Sequence, residues 1–237
     1  MMEKLSAEEF DRNLEEVQKR LKAALEKSGR SEDEVTLLAA TKTVDPDTVN
    51  YAIDKGIKYV GENRVQELLS KYKLLKPVHS HFIGHLQTNK VKDIIDKVEM
   101  IESVHSLKLA NEISKQAAAA KVQMDVLLEI NIGNEETKSG FAPNAAENAV
   151  REIAELPNIH IKGLMCIPPA AGVPEDARKY FRNMYKLFLD IRGKNIDNSS
   201  MSVLSMGMSH DFDIAVSEGA TLVRVGTSLF GKRNYNI

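Results

Sequence analysis

The sequence predicts an α/β protein, a single (β/α)8 TIM barrel with an extra N-terminal helix. Eight short apolar segments alternate with longer amphipathic segments, and no proline-rich linker, low-complexity tract or fixed-period repeat interrupts them. Alternation of strands and helices is typical of a parallel sheet, and eight such units favour a closed barrel over an open sheet. We therefore expect one domain over residues 1–237.

Composition narrows the class of protein. At 237 residues and 43% apolar content, the chain can bury a full core. Its 32 basic and 34 acidic side chains give a formal charge of −2, which offers no general attraction to nucleic acid or to an anionic membrane. The single cysteine, Cys166, is typical of a reducing compartment. The charged N-terminus and the lack of a long apolar stretch predict neither export nor a membrane span, so we expect a cytoplasmic protein.

The first predicted element is a helix over about residues 6–28. Its apolar residues recur at steps of three and four, which places on one face Phe10, Leu14, Val17, Leu21 and Leu25. Such a stripe predicts that the helix packs against the barrel.

The first βα unit follows this helix. VTLLAAT, residues Val35–Thr41, is an almost continuous apolar run, as expected of a parallel strand that is buried on both faces. Asp45 and Pro46 are suited to the cap and the first turn of a helix, and Gly56 is suited to its end.

Seven more strands are predicted in the same way. They are Lys58–Val60, His79–Ile83, Met100–Ser103, Val126–Ile130, Ile161–Ile167, Ser202–Ser205 and Leu222–Val225. Helical patterns such as VQELLSKYKLL, KVKDIIDKV, LKLANEISKQAAAA and ARKYFRNMYKLFLDI lie between them. In barrels of this class the reactive groups lie at the carboxyl ends of the strands, so candidate site residues are sought there.

Lys42 is the most informative candidate, because it extends an apolar strand directly into the expected mouth of the barrel. Burial lowers the pKa of a lysine amine and raises the neutral fraction that can attack an aldehyde, as Schiff-base chemistry requires. In the alternative, the stem of the lysine covers the strand end while its amine stays in water.

Two loops offer ligands for a phosphate group. Gly207–Ser209 follows the seventh strand and Arg224–Ser228 overlaps the end of the eighth, and each segment combines glycine amides with hydroxyls. Barrels of this class commonly hold phosphate in these two loops. The glycines could instead serve tight turns, and Lys138 in the loop NIGNEETKSGF is another candidate phosphate ligand.

Two further motifs compete with this interpretation. GTSLFGK, residues Gly226–Lys232, resembles a P-loop, but Arg233 replaces the required Ser or Thr, so we do not expect nucleotide binding. HSHFIGH places His79 and His81 on one strand face near His85, which could bind zinc in a metal-dependent barrel hydrolase. In the interpretation that we favour, His79 lies at the buried start of the strand and His81 lines the barrel.

The motifs at the strand ends resemble those of the pyridoxal phosphate homeostasis protein family. They are TKTV around Lys42, GENRVQEL, HFIGHLQTNK, ESVHS, KGLMCIPP, LSMGMSHDFDIAVSEGAT and VRVGTSLFG, over about residues 35–233. The resemblance implies a barrel similar to the N-terminal domain of alanine racemase that binds pyridoxal 5′-phosphate (PLP). The N-terminal helix and residues 195–200 carry no motif of the family.

The resemblance also implies which residues hold the two ends of the cofactor. Lys42 would hold PLP as a Schiff base. The phosphate would be bound by Ser209, Gly226 and Thr227.

The remaining implied residues surround the pyridine ring. Arg224 would face the pyridine nitrogen, and Asn63 would lie near the hydroxyl edge of the ring. The pocket around the ring would be lined by His81, Ile83 and Met165.

A site of this kind could serve a carrier or an enzyme. Arg224 is permanently charged and can only donate a hydrogen bond, so it would leave the pyridine nitrogen unprotonated and weaken the ring as an electron sink. The resemblance to alanine racemase implies that an enzyme can work with this arrangement by adding a base on the opposite face of the ring. Because this chain ends soon after the eighth strand, we expect no second domain that could supply such a base. We therefore predict a monomeric, non-catalytic protein that stores PLP and delivers it to apoenzymes. The alternative is an amino-acid racemase of narrow scope that uses Lys42 and His105 as its bases.

Overall fold

The computed structural model describes residues 5–170 and 172–231 and shows the predicted (β/α)8 barrel. Eight parallel strands form one closed sheet in chain order, and β8 pairs with β1. The strands are β1 (Thr36–Ala40), β2 (Tyr59–Glu62), β3 (His79–Phe82), β4 (Met100–Val104), β5 (Met124–Glu129), β6 (Ile159–Met165), β7 (Ser199–Met208) and β8 (Leu222–Val225).

A helix follows each strand, and a further helix precedes β1. The helices are α1 (Ala7–Ser28), α2 (Pro46–Asp54), α3 (Val65–Lys71), α4 (Val91–Ile94), α5 (Leu107–Ala120), α6 (Ala146–Ala154), α7 (Arg178–Gly193), α8 (Phe212–Ser217) and α9 (Thr227–Phe230). Within the two described ranges, no helix combines the length and the hydropathy that crossing a membrane would need.

Helix α1 forms where its sequence pattern predicts it. The side chain of Ser6 caps the helix by accepting the backbone N–H of Glu9 at 3.1 Å. Gly29 ends the helix with a φ of 66°, a left-handed conformation that glycine adopts readily. The ring of Phe10, on the buried face of the helix, lies 5.6 Å from the ring of Phe230 in α9. The predicted apolar stripe is therefore the face that packs against the barrel.

Strand β7 is longer than the sequence predicts. The predicted span is Ser202–Ser205, whereas the strand runs over Ser199–Met208. Its register shifts against both β6 and β8, and Met201 and Gly207 have left-handed φ values of 41° and 89°. Such irregular positions break the two-residue alternation on which strand prediction depends.

The apolar core has two parts. The larger part lies between the outer face of the sheet and the helices. The inside of the barrel is filled by two smaller clusters, which contain Leu38, Ala40, Ile83 and Leu222 in one and Met100, Leu127 and Met165 in the other. Lys42 lies two residues beyond the inward-facing Ala40, which is the last residue of β1.

We predict that Phe10→Ala lowers the free energy of unfolding by about 3–5 kcal/mol, because it removes a buried ring that joins α1 to the barrel. Urea denaturation measures this change. Arg12→Ala, on the exposed face of the same helix, is the matched control and should change stability by less than about 0.5 kcal/mol. Equal stability of the two variants would show that α1 does not stabilise the barrel.

Candidate functional site

Lys42 lies in a turn at the carboxyl end of β1. The turn is closed by a hydrogen bond from the N–H of Val44 to the carbonyl of Thr41, at 3.0 Å. Ala39 of β1 pairs with Val225 of β8, so this turn lies beside the loop that follows β8. Barrel closure thus brings the loop after the first strand and the loop after the last strand to one part of the mouth.

The loops after β7 and β8 are joined through Ser209. Its buried hydroxyl accepts the backbone N–H groups of Gly226 at 3.1 Å and Ser228 at 3.2 Å. The Ser228 hydroxyl in turn donates to the carbonyl of Ser209 at 3.2 Å. Thr227 lies between these two amides, at the start of α9. Backbone amides and hydroxyls gathered in this way can bind an anionic oxygen.

Helix α1 supports both of these loops from the outside. Arg20 donates to the carbonyl of Ser209 at 3.2 Å, and its guanidinium lies 4.3 Å from the ring centre of Phe212. Asn13 donates to the carbonyl of Leu229 in α9 at 3.0 Å. Helix α1, which carries no motif of the family, therefore contacts the backbone of both candidate phosphate loops.

A buried polar network forms the floor of the mouth, and Glu102 is its centre. Glu102 accepts hydrogen bonds from His81 at 2.7 Å and from Ser205 at 2.6 Å. Arg224 donates to the Ser205 hydroxyl and, at 2.8 Å, to the carbonyl of Cys166, and it lies 3.9 Å from Glu102.

The charge state of Glu102 follows from these contacts. Burial acts to raise the pKa of its carboxyl group, but the hydrogen bond and charge of His81, the charge of Arg224 and the hydrogen bond of Ser205 together lower it. Glu102 is therefore an anion that holds Arg224 in place, with Ser205 as the bridge between them.

A cavity of about 380 Å³ lies at the mouth among the carboxyl ends of β2 to β6, and its lining includes none of Lys42, Ser209, Gly226 and Thr227. Its lining includes Asn63, Ile83 and His85, and Asn63 Oδ1 is buried without a hydrogen-bond partner among the described residues. A larger cavity of about 810 Å³ lies at the opposite end of the barrel, between α1 and the starts of β1 and β2. We place the functional site at the mouth, because an unpaired buried polar atom and the candidate phosphate loops are found there.

The histidines of HSHFIGH have separate surroundings. His79 is exposed rather than buried, which corrects our expectation for the start of β3, and it pairs with Glu99 at 2.7 Å. His81 belongs to the buried network, and the ring of His85 stacks at 4.4 Å on that of His105. In the described part of the chain, no three metal-binding side chains converge.

The segment that resembles a P-loop is only partly described. Its last residue, Lys232, and the following Arg233 lie outside the described residues.

Eight of the nine predicted site residues fall into three groups, and Lys42 lies apart from them. Ser209 and Gly226 are in direct contact, and Thr227 follows Gly226. Asn63 and Ile83 line the mouth cavity. His81, Met165 and Arg224 are buried beneath the mouth, while Lys42 lies partly exposed in its turn at the rim.

The sequence motifs suggest no role for three polar residues of this region, the buried Glu102 and Ser205 and the half-buried Glu129. Burial raises the pKa of Glu129, against the opposing charge of Arg224, and so favours its protonated form. A signal for all three exists in the sequence, because each lies two residues after an inward-facing apolar residue and so on the same strand face. Those apolar residues are Met100, Val203 and Leu127.

Comparison with known proteins identifies the family of this chain. The family model described as alanine racemase, N-terminal domain, matches residues 8–234. The pyridoxal phosphate homeostasis protein of Aquifex aeolicus is 46% identical over 232 residues, which are 97% of this chain and 99% of that protein.

Two solved structures have the same fold over most of their length. An unknown protein from Bifidobacterium adolescentis superposes with a TM-score of 0.91 at 36% identity, over 94% of this chain and 95% of that one. PipY of Synechococcus elongatus, solved with PLP bound, superposes with a TM-score of 0.77 at 27% identity, over 90% of this chain and 100% of that one. This chain therefore belongs to the pyridoxal phosphate homeostasis protein family, within the wider family of alanine racemase N-terminal domains.

Proposed function

We propose that this protein binds PLP through Lys42 and serves intracellular PLP homeostasis as a carrier rather than as an enzyme. The observation that carries the proposal is the closure of the barrel, which sets the Lys42 turn beside the loops joined by Ser209 and Gly226. PLP has an aldehyde and a phosphate monoester, and an amine beside a phosphate site suits both groups. Membership of the family and the PLP bound to PipY support the same assignment.

The residues at the mouth fit this cofactor. The cavity of about 380 Å³ lies within the range of roughly 300–1,000 Å³ that small-molecule pockets occupy. The unpaired Oδ1 atom of Asn63 marks a polar position whose partner would be the bound molecule, and we assign it to the hydroxyl edge of the ring. In this proposal Ile83 contacts the ring, and His81 and Met165 support the pocket from below.

Lys42 would hold the cofactor covalently. Its neutral amine nitrogen would add to the aldehyde carbon, and the aldehyde oxygen would leave as water with the two amine hydrogens, so that a C=N bond remains. When bound, PLP supplies an electron sink for carbanion chemistry.

Arg224 supports the role of carrier. Its guanidinium is always charged, and Ser205 and the carbonyl of Cys166 hold it in the floor near the Glu102 anion. Facing the pyridine nitrogen, it could donate a hydrogen bond but not a proton. The ring would then be a weaker electron sink.

A racemase of narrow scope is the second candidate function, and His105 is the observation that favours it. The Nδ1 atom of His105 donates to the carbonyl of Ser103 at 3.2 Å, and its ring stacks on that of His85 near the mouth. Burial lowers the pKa of His105, against the hydrogen bond to Ser103, so that its neutral form is favoured. A neutral imidazole could act as a base.

Location and partners belong to the same proposal. We propose that the protein acts in the cytoplasm as a monomer and delivers PLP to apoenzymes, without binding nucleic acid or membranes. The nearly balanced charge of −2 and the single cysteine, Cys166, support this setting.

The first prediction concerns the covalent link. Protein saturated with PLP should absorb visible light, and borohydride should fix the cofactor to Lys42, as measured by peptide mass mapping. Lys42→Ala should lose the adduct, whereas Lys138→Ala, which changes another lysine near the mouth, should keep it. An adduct on a different lysine in the wild-type protein would contradict the proposal.

The second prediction concerns the phosphate site. Ser209→Ala combined with Thr227→Val should weaken PLP binding by about one to three orders of magnitude, because charge-assisted hydrogen bonds are lost. Binding of pyridoxal, which has no phosphate, should change little. Ser200→Ala, at an exposed position at the start of β7, is the control. If the double variant still prefers PLP over pyridoxal as strongly as wild type does, the phosphate is held elsewhere, with Lys138 the next candidate.

The third prediction separates carrier from racemase. Incubation of PLP-loaded protein with single amino-acid enantiomers should give no racemisation above that of free PLP, as measured by chiral chromatography. Turnover that disappears in both Lys42→Ala and His105→Ala would establish the enzymatic alternative.

A further inference from the structure

The turn that carries Lys42 has an unfavourable backbone conformation. Thr43, directly after Lys42, has a φ of 62°, a left-handed value that a β-branched residue rarely adopts. The turn is closed by the hydrogen bond from Val44 to Thr41. A strained residue persists in a folded protein when its surroundings hold it in place.

Three side chains provide such contacts. The buried Lys71, at the end of α3, donates to the carbonyl of Thr41 at 2.9 Å, to Glu62 Oε1 at 2.8 Å and to Glu67 Oε2 at 3.4 Å. All three hydrogens of its ammonium group therefore have acceptors. These contacts occupy the amine of Lys71, which therefore acts on the turn rather than in Schiff-base chemistry.

The two carboxylates complete the contacts on either side of Lys42. Glu62 Oε1 accepts the hydroxyl of Thr41 at 2.7 Å, and Glu67 Oε2 accepts the backbone N–H of Thr43 at 2.5 Å. The residues before and after Lys42 are thus both bound by one charged cluster.

The position of the cluster separates it from the cofactor site. Thr41 and Glu62 alternate with the inward-facing Ala40 and Gly61, so they lie on the outer face of the barrel, toward α3. The side chains of Glu62 and Lys71 are only 3% and 8% exposed. A buried ion pair is seldom more stabilising than apolar residues of the same volume, so stability alone does not explain this pair.

We propose that Glu62, Glu67 and Lys71 form a positioning clamp that holds the strained Thr41–Val44 turn and thereby aims the amine of Lys42 into the mouth of the barrel. The proposal rests on the proposed function, in which Lys42 reacts with PLP. The clamp touches no reacting atom and acts only through the backbone on both sides of Lys42.

Glu67→Ala is the main test, because Glu67 is partly exposed and its loss should leave the fold intact. The rate of Schiff-base formation with PLP, followed by absorbance, should fall by about 10- to 100-fold, as expected when a reacting group is misplaced by about 1 Å. Competition by inorganic phosphate for the phosphate loops should be unchanged. Gln66→Ala, at the exposed neighbouring position in α3, is the matched control and should react at the wild-type rate.

Rescue distinguishes positioning from a general structural role. Glycine adopts a left-handed φ without strain, so adding Thr43→Gly to Glu67→Ala should restore part of the lost rate. Lys71→Met should reproduce the slow rate if it folds. A wild-type rate in Glu67→Ala, or a slow rate that Thr43→Gly leaves unchanged, would overturn the clamp.

A second measurement does not depend on PLP. Acetic anhydride labels lysine amines, and mass spectrometry gives the reactivity of Lys42 relative to the exposed Lys92 at several pH values. We expect this ratio to change in Glu67→Ala, to return toward wild type with Thr43→Gly and to stay constant in Gln66→Ala. An unchanged ratio would overturn the clamp. Failure of wild-type protein to react with PLP would contradict the proposed function instead.

Discussion

Pairing between β1 and β8 closes the sheet, and the candidate site depends on that closure. Lys42 and Gly226 are far apart in sequence, yet the register that sets Ala39 beside Val225 brings their loops together at the mouth. Ser209 then joins the loop after β7 to the loop after β8, and α1 supports both loops from outside. An open sheet with the same strand order would leave β1 and β8 at opposite edges.

Beneath these loops, a charged layer replaces the apolar filling of the barrel. Glu102 and Arg224 are both buried, and a buried charge is tolerated only when partners compensate for the lost water. His81, Ser205 and the carbonyl of Cys166 supply those partners, so the guanidinium has a fixed position. The arrangement fixes the permanent positive charge of Arg224 below the mouth, and that charge is one of the observations that support the proposed carrier.

The fold and part of the site could be predicted from the sequence because their signals are local. Apolar runs predicted all eight strands, and α1 ends at Ser28, where its predicted span ends. The extent of β7 could not be predicted, because register shifts and left-handed residues interrupt its alternation. The partners of Glu102 and the contacts of Lys71 with the Lys42 turn join residues from different strands and helices, and only the closed barrel shows which of them meet.

The most direct measurement is a crystal structure of the protein grown with PLP. The account predicts electron density continuous with Lys42 Nζ, a phosphate within hydrogen-bond distance of Ser209 and the Gly226 and Thr227 amides, and a pyridine nitrogen facing Arg224. Cofactor density in the cavity at the opposite end of the barrel, or at the mouth but linked to another lysine, would contradict the account.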